Sequence, residues 1–115
     1  MRLTHVLSGL TAAAFLLGAT DAVLAKGNPE RGKVLARDCF ACHGPDGNSP
    51  SPVNPKIGGQ HERYIFLALM QYLEGERKRS LMTGSVLGKT EQELEDIAAY
   101  YAAQPGYLSR REIRK

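Results

Sequence analysis

The apolar positions of this chain fall into one largely apolar run and two helical stripes. The run extends from Val6 to Leu17, behind Met1-Arg2. The first stripe is Ile65, Leu69, Tyr72 and Leu73, with Phe66 and Met70 beside it. The second is Leu94, Ile97, Ala98 and Tyr101, with Tyr100 near its edge. Both recur at three- and four-residue spacing, so each predicts an amphipathic helix. Gln60 to Tyr64 opens the first, and Gly75 is placed to cap its C-terminus. Thr90 and Glu93 form a capping box at the start of the second, and Pro105-Gly106 ends it, which sets that helix over Glu91 to Ala103. A third helix is marked by its N-terminus: Asn28 can cap, Pro29 suits the first turn, and Glu30 lies near the positive end of the dipole. It is predicted over Pro29 to Phe40. Gly32 lies inside it, where glycine costs up to about 1 kcal/mol against alanine. That cost points to a close helix crossing.

Between these helices the polar and turn-forming residues gather. Gly44 to Gly59 holds four prolines and four glycines, which defeats helix and strand alike. A structureless loop of this length in a small domain is usually functional. Glu74 to Ser80 is polar and carries Arg77-Lys78-Arg79, followed by two short apolar pieces, Leu81-Met82 and Val86-Leu87. No internal repeat is visible.

The largely apolar run at the start reads as an export signal. Arg2 gives the positive region, the apolar run follows, and Val23-Leu24-Ala25 offers small residues for cleavage after Ala25. The alternative, a membrane anchor, needs about 20 apolar residues, more than the run supplies. The chain thus divides into a signal peptide (1–25), a domain (26–104) and a charged tail (105–115). The mature chain is predicted to hold no integral membrane segment.

The chemistry is concentrated in Cys39-Phe40-Ala41-Cys42-His43, which contains both cysteines of the chain. Cys-x-x-Cys-His is the attachment signature of a c-type haem. Two thiols on one helical turn reach the two vinyl groups on one edge of the porphyrin, and His43 can present its imidazole to the iron. A redox dithiol would expect a preceding strand in a larger βαβ domain. A zinc site would need ligands beyond His43 and His61. The haem reading therefore leads, with Cys39 and Cys42 as the attachment residues and His43 as the proximal ligand. A ligating histidine is normally oriented by a bond from its other ring nitrogen, so a carbonyl in the loop 44–59 is expected to accept from His43. On the distal side Met82 is the leading candidate, with Met70, His61 or an open position as alternatives. Arg77 is the candidate to neutralise a haem propionate.

Composition and charge agree with this reading. Fifteen Lys and Arg oppose twelve Asp and Glu, a formal charge of +3, and there is no tryptophan. Nothing resembles the aromatic-interleaved basic stripe of a nucleic-acid protein. A domain this small has a marginal core, and a haem would supply its apolar centre. The apoprotein is accordingly expected to fold poorly. With both cysteines taken by the haem, none is left for a structural disulfide.

The haem motif, Pro55-Lys56-Ile57-Gly58-Gly59-Gln60, the Gly75 to Met82 stretch and Leu94 to Tyr101 together resemble a class I cytochrome c. More narrowly, they resemble the soluble bacterial cytochrome c5, c4 and c553 group. The resemblance implies an all-α fold of three to five helices wrapped around one covalently bound haem c, with His43 proximal and Met82 distal. It implies that Pro55 supplies the carbonyl for His43, that Ile57 is an adjacent haem contact, and that Gln60 and Tyr64 lie near the haem. It also implies that Gly32 meets the last helix around Ile97 and Tyr100.

The function expected is that of a periplasmic one-electron carrier, not an enzyme, docking transiently with redox proteins such as cytochrome complexes, oxidases or dehydrogenases. One alternative is a haem c subunit bound permanently to a periplasmic dehydrogenase. Another is a haem enzyme or sensor with an open distal site.

Overall fold

The computed structural model describes residues 26–106. The proposed signal peptide and all of the tail beyond Gly106 lie outside the described residues. Helix α1 spans Pro29–Leu35, a 3₁₀ turn Ala36–Cys39 and α2 Phe40–His43; α3 spans Glu62–Leu73, α4 Ser80–Val86 and α5 Glu91–Ala102. No strand occurs among the described residues. The all-α expectation holds, with two differences from the sequence reading. The first helix does not run unbroken to Phe40: it tightens into a 3₁₀ turn at Ala36 and resumes as α2. Met82 does follow the polar loop, which ends at Arg79, but it sits within α4, a helix that the polarity pattern does not announce.

The helix ends carry the expected chemistry. Asn28 caps α1, its side chain accepting from the Arg31 amide at 2.9 Å, with Pro29 in the first turn. Thr90 and Glu93 make the reciprocal capping box of α5: Glu93 N–H donates to Thr90 Oγ1 at 3.2 Å, and Thr90 N–H donates to Glu93 Oε2 at 2.8 Å. Helix α3 ends at Leu73, and Gly75 follows with φ +80°, a left-handed conformation that glycine takes without steric cost.

The core lies where α1 and α3 pack on α5. Ala36, Ile65, Phe66, Leu69, Leu94, Ile97, Ala98 and Tyr101 are buried in it, and Val86 brings α4 to its edge. The α1–α5 crossing is tight: a Cβ on Gly32 would collide with the Asp96 carbonyl oxygen and stand 2.8 Å from Tyr100 Cβ. The α5 contacts of Gly32 are thus Tyr100 and the backbone at Asp96, while Ile97 is buried in the core beside them. A side chain at position 32 would force the two backbones apart, which accounts for glycine in mid-helix despite its intrinsic cost.

The crossing also contains a charge. Asp96 is 2% exposed. Its carboxylate receives Arg31 Nε at 2.8 Å and Nη2 at 2.8 Å and 3.0 Å, the Asn28 amide at 2.8 Å and Gln92 Nε2 at 3.2 Å. Burial alone would push this carboxyl up. Arg31, the Asn28 amide and Gln92 outweigh burial and hold it below the ordinary carboxylate range.

Candidate functional site

The site is built from the segment that leaves α1. The 3₁₀ turn winds the backbone more tightly than α1 does and delivers Cys39, half-buried, and Cys42, exposed, both as free thiols. Burial pushes the Cys39 thiol up. His43 closes α2, and Gly44 turns the chain away at φ +80°. The imidazole is buried, 6% exposed.

His43 Nδ1 lies 2.9 Å from the Pro55 carbonyl oxygen. A carbonyl can only accept, so Nδ1 carries the proton and Nε2 keeps its lone pair. Nε2 makes no hydrogen bond among the described residues. The imidazole is therefore oriented through one nitrogen and available through the other, the arrangement found in ligating histidines.

Pro55 belongs to a loop that is irregular but closely hydrogen-bonded. Ser49 N–H donates to His43 O at 3.0 Å, and the amides of Ile57 and Gly58 both donate to Gly47 O, at 2.8 Å and 3.0 Å. Lys56 Nζ reaches Ser49 O at 2.9 Å. Gly47, at φ +72°, lets the strand-like return of the loop approach: a Cβ there would stand 2.6 Å from Gly58 N. The segment 44–59 is thus a compact surface loop packed by its own backbone.

The other candidate residues surround this motif unevenly. Met82 on α4 and Met70 on α3 are both partly buried against the core, as are Ile57 and Leu73. Gln60 Oε1 accepts from the His61 amide at 2.8 Å at the start of α3. Tyr64 is 53% exposed. Arg77 donates from Nε to Gln71 Oε1 at 2.7 Å and lies over the Tyr72 ring at 5.7 Å. Hydrogen bonding to Tyr64, then to Tyr72, raises its pKa further. Tyr64, Tyr72 and Arg77 thus form one cluster, next to an open groove of about 540 Å³ lined by Arg77, Lys78, Arg79, Thr83 and Leu87.

Two features of the structure were not read from the sequence. One is the Arg31–Asp96 pair, whose only linear signal is an acidic residue on the core side of the last helix. The other is Tyr101, read above as part of an apolar face. Its ring is buried, and its hydroxyl donates to Gly44 O at 3.3 Å. Tyr100, beside it, donates to Pro45 O.

The donor set fits a covalently attached haem: two free thiols three residues apart, and an imidazole with one nitrogen tied and the other free. Zinc finds no comparable set, since no group of three or more His, Cys, Asp or Glu among the described residues could hold a metal ion. The fold gives no support to a dithiol domain of the βαβ kind. No helix among the described residues is long and apolar enough to cross a membrane.

Comparison with known proteins agrees with the donor set. Residues 29–103 match the family model described as Cytochrome c. A cytochrome c4 of Pseudomonas aeruginosa is 44% identical over 88 residues, covering 76% of this chain and 44% of that protein. Cytochrome c-554(548) of Halomonas halodenitrificans is 36% identical over 81 residues, covering 68% of this chain and 98% of that one. The crystal structure of reduced recombinant cytochrome c4 from Pseudomonas stutzeri superposes with a TM-score of 0.66 at 43% identity, covering 70% of this chain and 47% of that chain. The chain thus spans somewhat under half the length of the cytochrome c4 relatives it matches. With the match running from the first helix to the last, through the Cys-x-x-Cys-His segment, the chain belongs to the cytochrome c family and carries covalently bound haem c.

Proposed function

We propose that this chain is a periplasmic one-electron carrier in which Cys39 and Cys42 form the haem thioethers, His43 is the proximal ligand and Met82 the distal one. The observation that carries the reading is the His43–Pro55 bond of 2.9 Å. It fixes the ring plane and leaves Nε2 free beside two free thiols. When bound, haem c supplies a ferric/ferrous couple. The residues do the rest. His43 is held in one tautomer by Pro55. Met82 offers a soft neutral sulfur, which favours the reduced state relative to a second histidine. Half-buried Ile57, Leu73 and Phe40 supply apolar packing around the motif. Arg77, held by Gln71 and Tyr72, is the cation proposed to face a propionate.

A carrier with both axial positions filled has no open coordination for catalysis on a small ligand. Its partners on this reading are redox proteins, met weakly and transiently. Exposed Cys42 marks the edge through which the electron leaves. The export reading of residues 1–25 places the protein in the periplasm.

Visible spectra of the protein and of Met82→Ala in both redox states test the assignment. The variant should keep its haem through denaturation and lose the thioether-to-iron feature of the ferric spectrum, while Met70→Ala keeps it. Survival of that feature in Met82→Ala would transfer the ligand role to Met70. Carbon monoxide binding to the unaltered ferrous protein at neutral pH would refute a filled distal site.

A further inference from the structure

Tyr101 makes three contacts with the loop that carries Pro55. Its hydroxyl donates to Gly44 O at 3.3 Å, at the loop's first residue. Its own carbonyl accepts from Gly59 N–H at 3.0 Å, at the loop's last residue. Its ring lies against Gly47, where a Cβ would stand 2.9 Å from Cδ1. One buried residue on a regular helix thus holds the first end and an inner turn of the sixteen-residue segment Gly44 to Gly59 with its side chain and the last end with its backbone. Tyr100 adds a hydroxyl bond to Pro45 O, and its ring packs 5.1 Å from that of Tyr101.

The loop has no repeating ladder of its own. The two main-chain bonds that tie its return segment to its first half both end on Gly47, whose carbonyl receives Ile57 N–H and Gly58 N–H. Those two residues follow Pro55 directly after Lys56. The position of the Pro55 carbonyl is therefore set by the Gly47 turn, and the Gly47 turn is seated on Tyr101. The bond from His43 to Pro55 sits at the end of this chain of contacts.

We propose that Tyr101, seconded by Tyr100, is a positioning residue for His43: the two hydroxyls clasp the loop so that the Pro55 carbonyl stays in line with Nδ1–H, and in this way they tune the donor strength of the axial imidazole. The proposal rests on His43 being the proximal ligand. A hydrogen bond to a strong, well-placed acceptor makes an imidazole a better donor, and such outer contacts are one of the levers on haem potential. A better donor favours the ferric state. Loosening the clasp weakens that donation, so the reduction potential rises.

Tyr101→Phe isolates the effect. It keeps the ring on Gly47 and the main-chain bond to Gly59 and removes only the hydroxyl. In the haem-loaded protein the expected result is a reduction potential higher than that of the unaltered chain, together with faster exchange of the Ser49, Ile57 and Gly58 amides. Arg31→Gln serves as the comparison, because it weakens the α1–α5 crossing without touching the loop. It should lower global stability yet leave the potential and those amides unchanged. Tyr100→Phe should move the potential in the same direction, and it carries the test should Tyr101→Phe fail to assemble. An unchanged potential with unchanged amide exchange would overturn the proposal. So would a shift of equal size in Arg31→Gln, which would make the effect one of general stability. Covalent haem and a His-ligated spectrum in all three variants would leave the axial assignment standing in either case.

Discussion

Along its middle, from Glu95 to Tyr100, α5 meets another regular helix, and through Tyr100 and Tyr101 it meets a loop with no regular structure; the two contacts are made by different means. At the crossing with α1, the helices satisfy nearly all their own backbone groups, with the Asn28 amide donating across to Asp96, so the contact needs only close approach and one buried charge. Gly32 permits the approach and Asp96 with Arg31 supplies the charge. At the loop the backbone pairs only partly with itself, and α5 must complete its bonds. Tyr100 and Tyr101 do so with hydroxyls on Pro45 O and Gly44 O and with a main-chain carbonyl on Gly59. The crossing closes on itself within the chain. The loop, once satisfied, orients through the Pro55 carbonyl the buried imidazole of His43, which closes α2 next to the two thiols. Function has gathered in the region whose backbone is held from outside, which is common where a rigid scaffold positions a loop.

The largest effect should come from removing the haem attachment. Replacing Cys39 and Cys42 together by alanine separates the two regions, because the crossing keeps all its contacts and the motif loses its covalent partner. A group bound only by the native state stabilises it by linkage, and a core this small has little to spare. The double variant should show no cooperative transition when circular dichroism at the helix band is followed on heating. A colourless protein that still melts cooperatively would mean that the crossing alone sustains the fold.

Gly32→Ala attacks the other region. The added methyl meets the Asp96 backbone, which cannot rotate away as a side chain could. Overpacking of this kind costs about 3 kcal/mol or more. The haem should remain attached and the ferric spectrum unchanged in whatever fraction folds. Denaturant titration checks the cost, and the spectrum checks that the damage stays at the crossing. A variant that unfolds at the same denaturant concentration as the unaltered chain would show that the helices can part without loss.

Much of this division is legible in the sequence. Periodicity finds α3 and α5, and local cap chemistry finds the start of α1 and the capping box of α5, because those signals lie within four residues of each other. The donor residues are legible for the same reason: Cys39, Cys42 and His43 fall within five positions. What is not legible joins residues far apart in the chain. Arg31 and Asp96 are separated by 65 positions, and Gly44 and Tyr101 by 57. No local pattern records that an aspartate on a core-facing stripe will find a guanidinium. Helix α4 is hidden for another reason. Its sequence, Ser80 to Val86, includes Thr83 and Gly84, and Arg79 at its N-cap makes no side-chain bond. Its intrinsic preference for helix is weak, so tertiary packing, with Val86 2% exposed, decides the conformation.

The smallest expected effect is a tilt in the acid limb of stability, set by two adjacent carboxyls of opposite sign. Asp96 is held below the ordinary carboxylate range, with Arg31, Asn28 and Gln92 overcoming its burial. A depressed value in the folded state contributes stability that is complete above the unfolded value of about 3.9 and is lost as pH falls through the folded one. Glu95, one residue earlier, is pushed up by burial and then by Glu62, and its Oε2 is buried without a hydrogen-bond partner among the described residues. Its sign is reversed: the ionised form weighs against folding at neutral pH, and the penalty is relieved as pH falls through the raised value. Asp96→Asn should therefore lower stability at pH 7 and flatten the decline below about pH 4. Glu95→Gln should raise stability at pH 7, with the gain shrinking as the medium is acidified toward the range where Glu95 itself takes up a proton. Both changes should be smaller than that of Gly32→Ala, because Arg31 is 59% exposed and stays hydrated whether or not its partner is charged. Denaturant midpoints of the haem-loaded protein from pH 3 to pH 8 measure both. Parallel curves for Asp96→Asn and the unaltered chain would mean that the crossing is held by packing at Gly32 alone, and the reduction potential, measured on the same samples, should not move in either variant.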